Sequence, residues 1–308
     1  MSKEIEEMLE TIPVIRNVAR ALKKVKLGFL KGLSLYELLE IYTIGVIDSA
    51  ITYKAAAIAF SFFMALFPFT LFILNLIPYI PIEGFQQDFL MFVEESVPPR
   101  TYDAIAAIIH DILVNSDSGL LSSGFIISIF VMANGLSSIL GGFETSHHVL
   151  IKRGFFRQYF VALGMSLMLS FILLFTVAII VVFEVFIQST SIQDVLGESV
   201  PFMVIARYVF VILMILVTTS ILFKFGTKHT GKRSFITVGS VFTTMLIIVS
   251  SYVFGIWVVK FSQYNELYGS IGTLLIMMFY IWINCMLLLL GFELNAAINK
   301  IKIKNLFD

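Results

Sequence analysis

The chain has 308 residues, 58% of them hydrophobic and 14% charged. Its 19 glycines bring the apolar share to roughly 64%, against roughly 45–50% for a soluble domain, where about 25% would be charged. This balance excludes a disordered chain and an ordinary water-soluble enzyme, and 21 basic residues against 21 acidic ones leave no net charge to attract a polyanion such as nucleic acid.

Residues 1–54 read as cytoplasmic or interfacial amphipathic helices. Met1–Glu10 is acidic and polar, so no secretory signal is expected there. Ile5, Met8, Leu9, Ile12 and Ile15 recur at helical spacing. Lys23, Lys24, Lys26 and Lys31 then stand among Leu22, Val25, Leu27, Phe29 and Leu30. That pattern suits an anionic inner leaflet, or equally a helix packed on its own cytoplasmic loops. Ser34 and Glu37 form a capping-box pattern that opens a helix through Tyr53, with Asp48 near the interface.

A hydrocarbon core needs about 20 apolar residues in a helix. Five charge-free windows of 26 to 28 residues meet that need: Ala55–Ile82, Ser118–Phe143, Gln158–Phe183, Ser234–Val259 and Leu267–Phe292. A sixth, Tyr208–Phe223, has 16 residues. It reaches spanning length if it starts near Pro201 and Arg207 snorkels outward. The sequence thus predicts an all-α polytopic membrane protein with six transmembrane helices, at about 55–80, 119–143, 159–183, 201–223, 235–259 and 269–292. They form a six-span domain over 55–293, followed by a cytoplasmic tail over 294–308.

The connection over 83–117 is the longest. Phe85, Phe89, Phe92 and Val93 make one helical stripe, Pro98-Pro99 breaks the chain, and Ile105, Ile108, Ile109 and Ile112 make another. Two short amphipathic helices are expected there, lying on the outer face or capping a cavity. Basic residues across the seven non-membrane segments number 7, 1, 3, 0, 4, 1 and 3. They alternate at every crossing, which places both termini in the cytoplasm.

Enzyme motifs are absent: there is no H-E-x-x-H, G-x-S-x-G or G-x-x-x-x-G-K-[ST]. Cys285, alone, excludes an intramolecular disulfide and a cysteine-built metal site. The histidines are His110, His147, His148 and His229. Adjacent His147 and His148 would point about 100° apart on a helix, which does not suit a shared metal. No metal and no cofactor are expected.

Polar residues inside spans are more informative, because hydrocarbon makes them costly unless paired or facing water. Ser61 and Asn75 in the first span, Asn134 in the second and Asn284 in the sixth either line a polar passage or hydrogen-bond between helices. Pro68 removes a backbone hydrogen bond mid-span and should kink that helix, as at transport sites or as merely tolerated. Glu144 and Glu293, at cytoplasmic span ends, either form an ionisable pair facing a cavity entrance or pair separately with bases such as Lys152 and Lys300. Ser240, Thr244, Ser251 and Gly255 form a small-residue packing stripe, and Trp257 suits the aromatic belt.

The segment Ala55-Ala56-Ala57-Ile58-Ala59-Phe60-Ser61-Phe62-Phe63-Met64-Ala65-Leu66-Phe67-Pro68 resembles a signature of the YihY/BrkB family of bacterial inner-membrane proteins. Tyr264-Asn265-x-x-Tyr268-Gly269-Ser270 with Gly291-Phe292-Glu293-Leu294-Asn295 is similar to the family's second signature. The resemblance covers roughly residues 30–300 and implies six spans in the bacterial inner membrane. It also points to Tyr264 and Asn265, to Gly269 and Gly291 for tight turns or close backbone approach, and to Glu293 and Asn295 as functional. The family's Asn and Trp or Tyr after its second span are replaced here by Glu144-Thr145-Ser146-His147-His148, and no role transfers to that stretch.

Members of that family have carried a ribonuclease BN label and a serum-resistance virulence label, and envelope or lipid export has been suggested for them. No His/Asp cluster or basic domain supports the ribonuclease label. The leading expectation is therefore a protein that moves, or helps export, a lipid-like or small amphiphilic envelope solute. A non-transporting envelope scaffold is the alternative, and an intramembrane enzyme the third class. Membrane lipids and a second copy of the chain are the partners expected, and nucleic acid is not.

Overall fold

The computed structural model describes residues 23–24, 34–48, 50–77, 84–96, 118–146, 149, 153–188, 200–226, 234–260 and 270–307, some inside helices by backbone alone. They form eight α-helices: α1 (Leu35–Asp48), α2 (Ile51–Leu76), α3 (Phe85–Ser96), α4 (Ser118–Glu144), α5 (Phe155–Gln188), α6 (Val200–Phe225), α7 (Val238–Lys260) and α8 (Ser270–Phe307). Helices are what such apolar segments must form, since hydrocarbon offers the backbone no hydrogen-bond partner of its own.

Four segments are long and apolar enough to cross a membrane: Phe155–Phe183, Val204–Phe225, Val238–Val258 and Leu274–Lys300. α2 and α4 hold shorter apolar stretches, Ile51–Leu66 and Ile129–Glu144. Among the described residues the architecture is thus an all-helical membrane protein with four clear spanning candidates and two shorter apolar helices.

Two expectations about helix ends are corrected. The helix opened by Ser34 stops at Asp48 rather than Tyr53, and Ala50 takes a left-handed φ of 47° before α2 begins at Ile51. A non-glycine residue rarely adopts that conformation, and here it marks the break between helices. α8 does not stop at 292 but continues to Phe307. Charge marks where hydrocarbon ends, not where a helix ends, and Ala296 and Ala297 favour continuing it.

The chain divides into two compact units. One comprises Phe60–Ser138 and Gly154–Thr218. In it α3 lays Phe85 and Phe89 against Ile77 and Val181, with Leu90, Val93, Val177 and Ala178 around them. The helical stripe expected over 85–93 is therefore the buried face of α3, and its packing partner is α5. The second stripe, over 105–112, lies outside the described residues. In the same unit α4 meets α5 through Gln158, whose Nε2 donates to the Ser137 carbonyl at 3.0 Å.

The other unit comprises Met1–Ala59, Ile139–Arg153 and Thr219–Asp308. Its main contacts join α7 to α8 and α8 to α1. α7 opens with reciprocal capping: Ser240 N donates to Thr237 Oγ1 at 3.1 Å, and Thr237 N donates to Ser240 Oγ at 2.9 Å.

Candidate functional site

The α7–α8 crossing is built from residues with little or no side chain. A Cβ on Gly239 would lie 2.5 Å from the Gly291 carbonyl oxygen and 2.6 Å from the Asn295 Cβ. A Cβ on Gly291 would strike the Thr243 hydroxyl. Gly239-x-x-x-Thr243 therefore faces Gly291-x-x-x-Asn295 at backbone distance, the arrangement small residues permit within membranes. The close approach expected of Gly291 is what the structure contains.

The stripe expected at Ser240, Thr244, Ser251 and Gly255 splits into separate environments. Ser240 and Thr244 are buried, and the Thr244 hydroxyl lies 3.2 Å from that of Thr219 on α6. Ser251 pairs with the Tyr280 hydroxyl at 2.7 Å. Gly255 has nothing within 4 Å of its would-be Cβ, so close packing has ended there. The face against α8 is the neighbouring one, Gly239 and Thr243. Small residues at i, i+4 could have revealed it, but two adjacent stripes qualified and only packing chose between them.

Phe143, Phe223 and Phe292 cluster where α4, α6 and α8 meet. The Phe143 and Phe292 rings stack at 4.2 Å, and Phe223 meets each edge-on at 5.7 Å. Each stacked phenylalanine is followed in sequence by a buried glutamate. Glu144 is 4% exposed and Glu293 is 2% exposed, with Asn295 at 4%.

Glu144 is compensated by Arg153. Its Oε2 accepts the Arg153 backbone N–H at 3.1 Å, and Arg153 Nη1 stands 3.8 Å from Oε1. The same Nη1 donates to the Gly226 carbonyl at 3.0 Å, tying the end of α4 to the end of α6. The base beside Glu144 is thus Arg153; Lys152, the base expected, lies outside the described residues. Lys54 Nζ donates to the Thr145 carbonyl at 2.8 Å and places a cation at the C-terminus of α4, where the helix dipole favours it.

Glu293 faces α1. Tyr42 on that helix has its phenol pushed up to about 12, first by burial and then by the negative charge of Glu293. Among the described residues, Asn295 Nδ2 and Ser220 Oγ are buried without a hydrogen-bond partner. Such atoms are costly in an apolar interior unless something polar reaches them.

The other expected positions do not join this cluster. Ser61 is half-buried on α2, Asn134 is exposed on α4, and Asn284 turns back to donate to the Tyr280 carbonyl of its own helix at 2.8 Å. α2 runs unbroken through Pro68 and Asn75, whose side chains lie outside the described residues. Tyr264, Asn265, Gly269 and all four histidines also lie outside them. Among the described residues no group of three or more His, Cys, Asp or Glu side chains could hold a metal ion. Arg153 and Tyr42, which sequence reasoning passed over, are the partners that buried Glu144 and Glu293 acquire only through folding.

Long apolar helices, small-residue crossings and carboxylates buried at helix ends define a multi-pass α-helical membrane protein. The family described as Virulence factor BrkB matches residues 46–306, and the chain belongs to that family. It is similar to the putative ribonuclease-like protein YfkH of Bacillus subtilis, with 29% identity over 81% of this chain and 90% of the relative. It is also similar to a UPF0761 membrane protein of Coxiella burnetii, with 22% identity over 82% of this chain and 89% of the relative. No solved structure matches the chain.

Proposed function

We propose that the protein is a six-span inner-membrane carrier, or part of an exporter, for a lipid-like or amphiphilic envelope solute, with both termini in the cytoplasm. Glu144 and Glu293 carry this reading. Carboxylates buried so deeply at the ends of apolar helices are expensive to keep, and ionisable residues at membrane depth most often mark solute paths. Asn295 and Ser220 add buried polar atoms that a passing headgroup or water would satisfy. Ser61, Pro68, Asn75, Asn134 and Asn284 would extend the polar path along the spans, with Tyr264, Asn265 and Gly269 at the outer approach to the last one. Membrane lipids are the partners in this reading, nucleic acid has no role, and the ribonuclease label carried by relatives is a misnomer here.

The test is transbilayer movement of a panel of labelled lipids in vesicles reconstituted with the full chain. Movement that depends on the protein and falls at least tenfold in Glu293→Gln, with melting unchanged, is the expected result. No movement for any lipid would discard the carrier.

A second reading, a non-transporting envelope scaffold, draws on the α7–α8 crossing. Its small-residue contact suits a fixed framework as well as a moving one. Inert vesicles, together with lost melting temperature in Glu293→Gln, would favour it.

A further inference from the structure

Lys224 lies near the end of α6 with its ammonium over two rings, 5.7 Å from the Phe225 centroid and 5.4 Å from that of Phe235. One ring belongs to α6 and the other to the residues leading into α7, so the cation is held between two helices of one unit. The C-terminal carbonyls of α6 favour a positive charge at that place. Lys224 is exposed, and among the described residues it makes no ion pair.

The face of α7 that starts beside it is apolar and exposed along its length: Val238, Val241, Met245, Val249, Tyr252 and Ile256. These residues follow one another at steps of three and four, a single helical stripe. At 1.5 Å per residue the stripe runs about 27 Å, close to the roughly 30 Å of a hydrocarbon core. An unmatched cation at one end of a membrane-length apolar face is the complement of a phospholipid, whose phosphate and acyl chain have the same arrangement.

We infer that the end of α6 and the start of α7 form a binding site for an anionic glycerophospholipid. Lys224 takes the phosphate, Phe225 and Phe235 hold the ammonium at headgroup height, and the acyl chain lies along the α7 stripe. A zwitterionic lipid brings its own cation to compete for its phosphate, so an anionic headgroup is preferred. Because the lipid touches both helices, it also staples them together. Glu144 and Glu293 take no part, so the site stands independently of the carrier reading.

The full chain in detergent, offered phosphatidylglycerol or phosphatidylcholine and analysed by native mass spectrometry, tests the site. Wild type is expected to retain phosphatidylglycerol preferentially and to melt higher in its presence. Lys224→Gln should cut that preference about fivefold, the weight of one interfacial cation, while Lys224→Arg keeps it. Phe225→Leu with Phe235→Leu leaves apolar bulk and should weaken retention about two- to fivefold through loss of the rings. Equal retention by wild type and Lys224→Gln would overturn the site. So would displacement of the lipid by millimolar inorganic phosphate, which would make the site one for a soluble anion.

Discussion

Helix α3 meets α5 through large apolar side chains, whereas α7 meets α8 through almost none. In the first contact Phe85 and Phe89 close over Ile77 and Val181. In the second, Gly239 and Gly291 bring two backbones together beside Thr243 and Asn295. The difference follows from what each helix leaves behind when it packs. α3 belongs to a polar connection and carries Gln87 and Glu94 on an exposed face, so burying its phenylalanines removes apolar area from water. A helix within hydrocarbon gains nothing of that kind, because lipid tails are as apolar as leucine. α7 and α8 therefore rely on close approach, dispersion and hydroxyls satisfied within their own helix, as where Thr243 Oγ1 donates to the Gly239 carbonyl at 2.9 Å.

The largest effect is expected where water drives the packing. Phe85→Ala should cost about 3–5 kcal/mol at its contact, and the loss should be local. Amide exchange across residues 85–96 is expected to accelerate by orders of magnitude while α7 and α8 keep their protection. Unchanged exchange in α3 would mean that the phenylalanine clamp does not hold the helix, and the contrast between the contacts would collapse.

Gly291→Ala should be milder, at about 1–3 kcal/mol of overpacking, but spread through the crossing. Its Cβ is directed at the Thr243 side chain, so Thr243→Ala in the same chain should recover part of the loss in a detergent melt. A Gly291→Ala protein that melts with wild type, or a double variant no better than the single one, would show that the backbones do not touch there.

Hydrocarbon gave the sequence its most readable feature. Charge-free windows located α5, α6 and α7 within a few residues of their observed ends, and the periodicity of Phe85, Phe89 and Val93 identified the buried face of α3. Contacts were less readable for a definite physical reason. Inside a membrane the apolar pattern has no preferred face, so nothing in the composition of α7 separated the Gly239–Thr243 stripe from Ser240–Thr244. Glu144 and Glu293 were recognisable as costly charges, yet Arg153 lies nine residues from the first and Tyr42 lies 251 residues from the second. Choosing Arg153 over its neighbour Lys152 depends on the turn after α4, and reaching Tyr42 depends on α1 folding back on α8. Gly255 shows the converse: a small residue at the right spacing with nothing against it.

The α1–α8 contact stands between the two extremes, since α1 buries Leu38 but also brings Tyr42 to Glu293. Tyr42 provides the smallest and most selective test. Its phenol is raised from 10.0 to about 12, by burial first and by Glu293 second. The folded chain therefore holds the phenolic proton more tightly than the unfolded chain does. The resulting stabilisation is full below about pH 10 and is lost as pH rises toward about 12. Tyr42→Phe should melt within a few degrees of wild type at pH 7 and flatten the decline of melting temperature across that alkaline window. Other tyrosines and lysines titrate in the same range, so the informative quantity is the difference between the two curves. Glu293→Gln should shift the wild-type decline to lower pH without abolishing it, because burial, the larger cause, remains. Parallel wild-type and Tyr42→Phe curves would remove Tyr42 from the neighbourhood of Glu293, leaving α1 held to α8 by apolar contact alone, as α3 is held to α5.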